Sequence, residues 1–200
     1  MDKTDAPSEG RSEMKQIETQ DLIIRDSVWE DLELFFGWER LPQVTDFLSI
    51  GENQSFEEVV RTYIHDDENP KQRQYTICLK EDGGPVDGRP IGRVVLGDLE
   101  EGWKVEIWRI YIGDLAQRGK GLGRQTLEAM LKLCFGKLGL KRVYLDHYTG
   151  NPAGELYKSL GFQYEGVLRG NCMKNGELYD VHLMSMMRDE YIALYGREDG

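Results

Sequence analysis

Apolar and polar positions follow two rhythms along this chain. Leu22-Ile23-Ile24 is a short apolar run that predicts a strand. Ser27-Val28-Trp29-Glu30 has the Ser-x-x-Glu form of a capping box. Behind it Val28, Leu32, Phe35 and Phe36 share one helical face. Ser55-Phe56-Glu57-Glu58 repeats that signal before Val59, Val60, Tyr63 and Ile64, so a second helix is expected to run to about Asp66. The stretch from Pro42 to Gln54 between them reads as a loop or short helical turn.

The rhythm then changes. Gln74 to Lys80, Ile91 to Gly97 and Trp103 to Ile112 are strand-like, and the first two flank the turn-rich segment Glu81 to Pro90. A helix is expected from about Gly121 to Leu138, with Leu127, Met130, Leu131, Cys134 and Leu138 as its apolar stripe. Arg142 to His147 is another strand. Asn151-Pro152 then starts a helix that Gly161 ends. Phe162 to Leu168 and Leu178 to Met187 close the pattern as a hairpin whose connector contains Asn175-Gly176. The order β-α-α-β-β-β-α-β-α-β-β describes one α/β domain with a mixed sheet, over residues 17–188. Residues 1–16 lack apolar periodicity and read as a flexible tail, and 189–200 as a C-terminal tail.

Composition narrows the partners. The formal charge is −11, from 25 Lys+Arg against 36 Asp+Glu. An acidic chain is poorly suited to binding phosphate backbones, so nucleic acid is not expected. No apolar run approaches the ~20 residues of a membrane helix. The polar N-terminus lacks the apolar stretch of a signal peptide. Cys78, Cys134 and Cys172 are odd in number and widely spaced, which suggests reduced thiols in a cytoplasmic protein. The chain has neither CxxC nor HExxH, and His65, His147 and His182 are scattered, so no metal is expected.

The most informative stretch is Gln117-Arg118-Gly119-Lys120-Gly121-Leu122-Gly123-Arg124, which follows a strand and opens a helix. Glycines there let backbone approach a ligand, the free N–H groups of a first helical turn attract anions, and Arg118, Lys120 and Arg124 add charge. A phosphate or pyrophosphate ligand is expected. Gly123 is followed by Arg124-Gln125, which excludes a P-loop, and Arg124 stands where a dinucleotide fingerprint needs its third glycine.

What fits is Arg-x-x-Gly-x-Gly at Arg118, Gly121 and Gly123, which resembles the acetyl-CoA pyrophosphate loop of the Gcn5-related N-acetyltransferase (GNAT) superfamily. The resemblance spans roughly Ile17 to Met187. Asn151 to Phe162, ending Tyr157-x-x-x-Gly161-Phe162, is similar to a second family motif. Glu165-Gly166-Val167-Leu168-Arg169, Asn175-Gly176 and Asp180 resemble the branch of ribosomal-protein N-terminal and polyamine acetyltransferases. In the family pattern the Asn stands seven residues before the Tyr; here Asn151 stands six before Tyr157. Two readings of Asn151 therefore stand: a hydrogen bond to the cofactor, or a helix cap.

The resemblance implies a mixed, mostly antiparallel sheet of about six to seven strands flanked by about four helices. It also implies transfer of the acetyl group of acetyl-CoA, as cosubstrate, to a primary amine by direct attack. Backbone at Ile110, Tyr111 and Ile112 would meet the pantetheine. Arg118, Gly119, Lys120, Gly121, Leu122, Gly123 and Arg124 would hold the pyrophosphate, with Asn151 and Tyr157 beside the cofactor. Tyr157 would protonate the leaving thiolate. Strict alternation puts Glu106, Trp108, Ile110 and Ile112 on one strand face, a phase that a bulge would shift. Glu106 is the first candidate for the base, through a water, with an exposed strand carboxylate as its plain alternative. His147 and the cysteines carry no comparable signal.

Charge is distributed unevenly. From Asp26 to Pro70 there are twelve acids and two bases; from Leu115 to Leu145 there are seven bases and one acid. In the superfamily the first segment borders the acceptor and the second the cofactor. A polyamine or other small cationic amine is therefore favoured as acceptor, with a peptide or protein N-terminus close behind. Solvated acidic helix faces remain the plain reading of most of these acids. A catalytically silent acyl-CoA-binding sensor is the alternative function. The superfamily often dimerises through sheet edges or the C-terminal hairpin, so a homodimer is an open expectation.

Overall fold

In the computed structural model, which describes residues 16–50 and 54–196, the apolar runs form a single eight-stranded sheet. The strands are β1 (Ile17–Glu18), β2 (Leu22–Asp26), β3 (Arg73–Leu79), β4 (Arg89–Glu100), β5 (Lys104–Ile112), β6 (Arg142–Tyr148), β7 (Gln163–Lys174) and β8 (Glu177–Met187). Their spatial order is β1-β2-β3-β4-β5-β6-β8-β7. Every pairing is antiparallel except β5 with β6. The helices are α1 (Leu32–Trp38), α2 (Pro42–Thr45), α3 (Phe56–Glu68), α4 (Leu122–Lys132), α5 (Ala153–Ser159) and α6 (Arg188–Tyr195).

The main core joins one sheet face to α4, α5 and α6. Val94, Val105, Val143, Leu145, Met184 and Met186 of the strands meet Leu127, Met130, Leu131, Tyr157 and Tyr191 of the helices. A smaller cluster of Leu32, Phe35 and Tyr63 joins α1 to α3. It lies on the opposite face: Arg93, the chain neighbour of core residue Val94, sits with its guanidinium carbon 4.4 Å from the centre of the Phe35 ring.

Several expectations shift. Among the described residues the sheet has eight strands and the helices number six, against about six to seven and about four. Of the tail expected over 189–200, residues 189–195 belong to α6, whose Tyr191 is buried and stacks on Phe135 at 4.9 Å, and 197–200 lie outside the described residues. Of the tail expected over 1–16, only Gln16 is among the described residues. The capping box at Ser55 holds: Ser55 Oγ accepts from Glu58 N at 3.2 Å, and Glu58 Oε2 accepts from Ser55 N at 2.7 Å. The box read at Ser27 lies one residue later, because Asp31 Oδ2 accepts from Val28 N at 3.0 Å. Asp31 is the better anchor since Arg25 also pairs with it at 2.7 Å. The last hairpin is longer than expected, and its strands run to the two-residue turn Asn175-Gly176, where both φ angles are positive.

The phase of β5 changes most. Val95 pairs with Arg109 but Leu96 with Ile107, so Trp108 is an extra residue. Val105, Ile107, Ile110 and Ile112 consequently all join the core side, so Glu106 faces the other way and does not share a face with Ile110 and Ile112 as strict alternation expected.

Candidate active site

β5 and β6 pair at Lys104–Arg142, Val105–Val143 and Glu106–Tyr144, and the pairing stops there. Both strands run on, to Ile112 and Tyr148, so the sheet splits at the Trp108 bulge. A cleft of about 660 Å³ occupies the split. Beyond the bulge β5 still pairs with β4, at Val94–Ile110, Arg93–Tyr111 and Gly92–Ile112. Its other edge faces the cleft, which is where the sequence reading put cofactor-binding backbone.

On the helix side the cleft is walled by the glycine loop, the start of α4, and Ala153, Leu156 and Tyr157 of α5. Gly119 and Gly121 have φ of +75° and +79°, which lets the chain turn sharply into α4. A Cβ built at Gly119, Gly121 or Gly123 meets no atom within 4 Å, so the loop forms an open cradle at the N-terminus of an 11-residue helix. That donor set suits a phosphate group.

The basic residues of the loop divide. Arg118 lines the cleft and also bolts the loop down, donating from Nε to Ile112 O at 2.8 Å and from Nη1 to Gln43 O at 2.7 Å. Arg124 lines the cleft and donates to Ser159 Oγ. Lys120 is not part of the lining; its Nζ donates to Gln117 Oε1 at 2.9 Å. Asn151 lines the cleft and caps the turn into α5, its Oδ1 accepting from Ala153 N at 2.9 Å. The helix-cap reading of Asn151 is thus met, by a side chain that also borders the cleft.

Tyr157 is 6% exposed and flanked by the rings of His147 at 6.0 Å and Phe162 at 6.1 Å. Burial, and then the charge of Asp146, pushes its phenol up to about 12. Glu106 stands outside the cleft lining. Its Oε2 accepts from Trp108 Nε1 at 3.1 Å, and Tyr144 also bonds to it. Burial, and then the charge of Asp146, raises its carboxyl above the usual glutamate range. The Trp108 ring fits only because residue 97 is glycine, where a Cβ would come within 2.1 Å of it.

The opposite mouth is formed by α2, the segment after it, Trp108 and the end of β6: Val44, Phe47, Leu48, Ser49, Asp146 and Tyr148. Of these, sequence reading missed Val44, Leu48, Ser49, Asp146 and Tyr148. The available signal was alternation in β6, where Leu145 is core and Tyr144, Asp146 and Tyr148 share the other face. Beneath this mouth lies a buried ionic network. Glu39 Oε1 accepts from Arg93 at 2.8 Å, from the Tyr111 hydroxyl at 2.8 Å and from Arg109 at 3.5 Å. It ties α1 to β4 and β5 under the cleft wall.

Other singled-out residues fall elsewhere. His147 packs against Gly154, whose added Cβ would lie 2.8 Å from the imidazole, and stacks on His182 at 5.2 Å. Cys134 is core, and burial pushes its thiol up to about 12. All three cysteines are free thiols. Among the described residues no group of His, Cys, Asp or Glu is arranged to hold a metal, and no helix is long and apolar enough to cross a membrane.

Residues 28–162 match the Acetyltransferase (GNAT) family. An uncharacterized N-acetyltransferase, p20, of Bacillus licheniformis is 25% identical over 185 residues, which cover 89% of this chain and 99% of that protein. The spermidine N(1)-acetyltransferase of Vibrio cholerae is 30% identical over 137 residues, 68% of this chain and 73% of that one. The fold matches the crystal structure of spermidine N-acetyltransferase from Vibrio cholerae in complex with CoA and spermine. Its TM-score is 0.77 at 24% identity, with 87% and 99% of the two chains covered.

Proposed function

Since the chain belongs to the GNAT family of acetyltransferases, we propose that it transfers the acetyl group of acetyl-CoA to a primary amine of a small polycation of the polyamine kind. One observation carries this reading. A single cleft through the β5–β6 split joins an anion cradle on one sheet face to a mouth with aromatic and carboxyl groups on the other. The 30% identity to a spermidine acetyltransferase supports the choice of acceptor.

The roles follow from the chemistry the reaction demands. Gly119, Gly121, Leu122, Gly123 and the N-terminus of α4 would hold the pyrophosphate, with Arg118, Lys120 and Arg124 adding positive field. The free edge of β5 at Ile110, Tyr111 and Ile112 would pair with the pantetheine and aim an N–H at the thioester oxygen. Asn151 would add a hydrogen bond from the α5 side. Tyr157, protonated throughout the neutral range, would give its proton to the leaving thiolate. Glu106, set back from the cleft, would receive the amine proton through a water. Free thiols at all three cysteines fit a cytoplasmic enzyme. The exposed edge strand β7 fits a homodimer.

Titration calorimetry with acetyl-CoA, followed by a thiol-release assay over spermidine, spermine, a monoamine and a short peptide, tests the reading. Turnover is expected, fastest on the polyamines. Cofactor binding without turnover on any amine would transfer the protein to the sensor reading. An absence of binding heat would remove both.

A further inference from the structure

Buried carboxylates in this protein are paired with arginine almost throughout. Asp31 is held by Arg25 at 2.7 Å and Glu39 by Arg93 at 2.8 Å, and even the exposed Glu165 pairs with Arg142 at 2.5 Å. Asp66 bonds to Gln72 and lies within the field of Arg109 and Arg93. Two carboxyls at the split sheet, the half-buried Glu106 and the exposed Asp146, are different. Among the described residues no lysine or arginine forms an ion pair with Asp146 or Glu106. Asp146's chain neighbour His147 is the one side chain whose charge favours its ionised form, and His147 belongs to the opposite strand face. Glu106 is met by the neutral donors Trp108 and Tyr144.

We propose that Asp146 is the carboxylate that receives an ammonium group of the acceptor, with Glu106 as a second negative group behind it. This rests on the transferase reading and specifies the contact that selects the substrate. Asp146 lines the cleft and Glu106 does not, so Asp146 is the carboxyl a ligand can touch. Alternation from core residue Leu145 turns Asp146 away from α5 and Tyr157, toward the mouth shared with Phe47, Trp108 and Tyr148. An amine entering there meets a carboxylate bordered by aromatic rings, which attract a cation through their faces. Trp108 is 43% exposed and Phe47 is 38% exposed, so both offer ring surface. Partial burial raises both carboxyls, and the charge of Asp146 raises Glu106 further. A bound cation relieves that cost; a neutral ligand does not.

The test is calorimetric titration of spermidine into the CoA-saturated protein. D146N should weaken spermidine about 10- to 100-fold, as expected for loss of a hydrogen bond to a charged group. D146E, which keeps the charge, should stay within about threefold of wild type. D189N, an equal charge change on exposed α6, should bind as wild type does and so exclude a bulk charge effect. CoA affinity should be unchanged in D146N. Should that variant lose CoA binding, D146S replaces it, and loss of CoA binding by both would make the residue structural and overturn the proposal. Unchanged spermidine affinity in D146N, or absence of spermidine binding to wild type, would also overturn it. Thiol release separates the two readings. Spermidine bound through Asp146 without turnover defeats the transferase and spares Asp146; full turnover with an indifferent D146N does the reverse.

Discussion

Tyr157 is placed so that it keeps its proton. Helix α5 holds it 6% exposed between two rings, and with its phenol pushed up to about 12 it stays protonated across the range in which such an enzyme is assayed. A proton donor of this kind leaves no high-pH limb below about 12 in the rate profile. Tyr157→Phe should therefore lower kcat by about 100-fold, the usual reach of general acid catalysis, by a constant factor from pH 7 to 10. Affinity for CoA should move less than threefold, since the ring and its packing remain. An unchanged kcat would remove Tyr157 from the chemistry. Glu106 has the opposite character. Its carboxyl is raised, so its ionised form is lost as pH falls through a value above the ordinary glutamate range.

At the scale of elements, the glycine loop is the feature most legible in sequence. Its function depends on local backbone: positive φ at Gly119 and Gly121, then the unpaired N–H groups of α4. Gly121→Glu places a side chain in the left-handed region, at about 1–2 kcal/mol, small beside the 5–15 kcal/mol of a typical domain. The fold should persist by circular dichroism while CoA affinity falls more than about 100-fold, because a carboxylate then points into the anion cradle. Retained CoA binding would relocate the pyrophosphate. Less was legible where two elements meet. The Trp108 bulge depends on the Trp108 ring lying over Gly97 of the neighbouring strand, so counting along β5 alone put Glu106 and Ile110 on one face. Alternation in β6 gives Asp146 only its face; its place at the mouth comes from the end of the β5–β6 pairing and the approach of Phe47 and Leu48. Helix α6 reads as Arg-Asp-Glu-Tyr-Ile-Ala-Leu-Tyr, mostly polar, and its anchor is the long-range stack of Tyr191 on Phe135.

Across the whole molecule, the acidic N-terminal half is less of a free field than its sequence count suggests. Asp31 and Glu39 are consumed by Arg25 and Arg93, and Asp66 is buried. Asp26, Glu30, Glu33, Asp46, Glu57, Glu58, Asp67 and Glu68 remain exposed on that half. On the other side the glycine loop and the start of α4 carry Arg118, Lys120 and Arg124, while Lys132 ends α4 and Arg142 is paired with Glu165. A cation and an anion approaching one cleft from opposite sheet faces would each meet attractive charge. Such steering acts over a distance set by salt, about 30 Å at 0.01 M and about 8 Å at 0.15 M. Raising ionic strength between those values should therefore lower kcat/KM for spermidine several-fold and raise the Kd of acetyl-CoA, while kcat at saturation stays within about twofold. The same titration with an uncharged hydroxylamine-type acceptor should leave kcat/KM nearly flat. If spermidine and the uncharged acceptor respond alike, the exposed acids of α1, α2 and α3 are solvated faces with no part in capture, and the recognition of charge is confined to the cleft mouth.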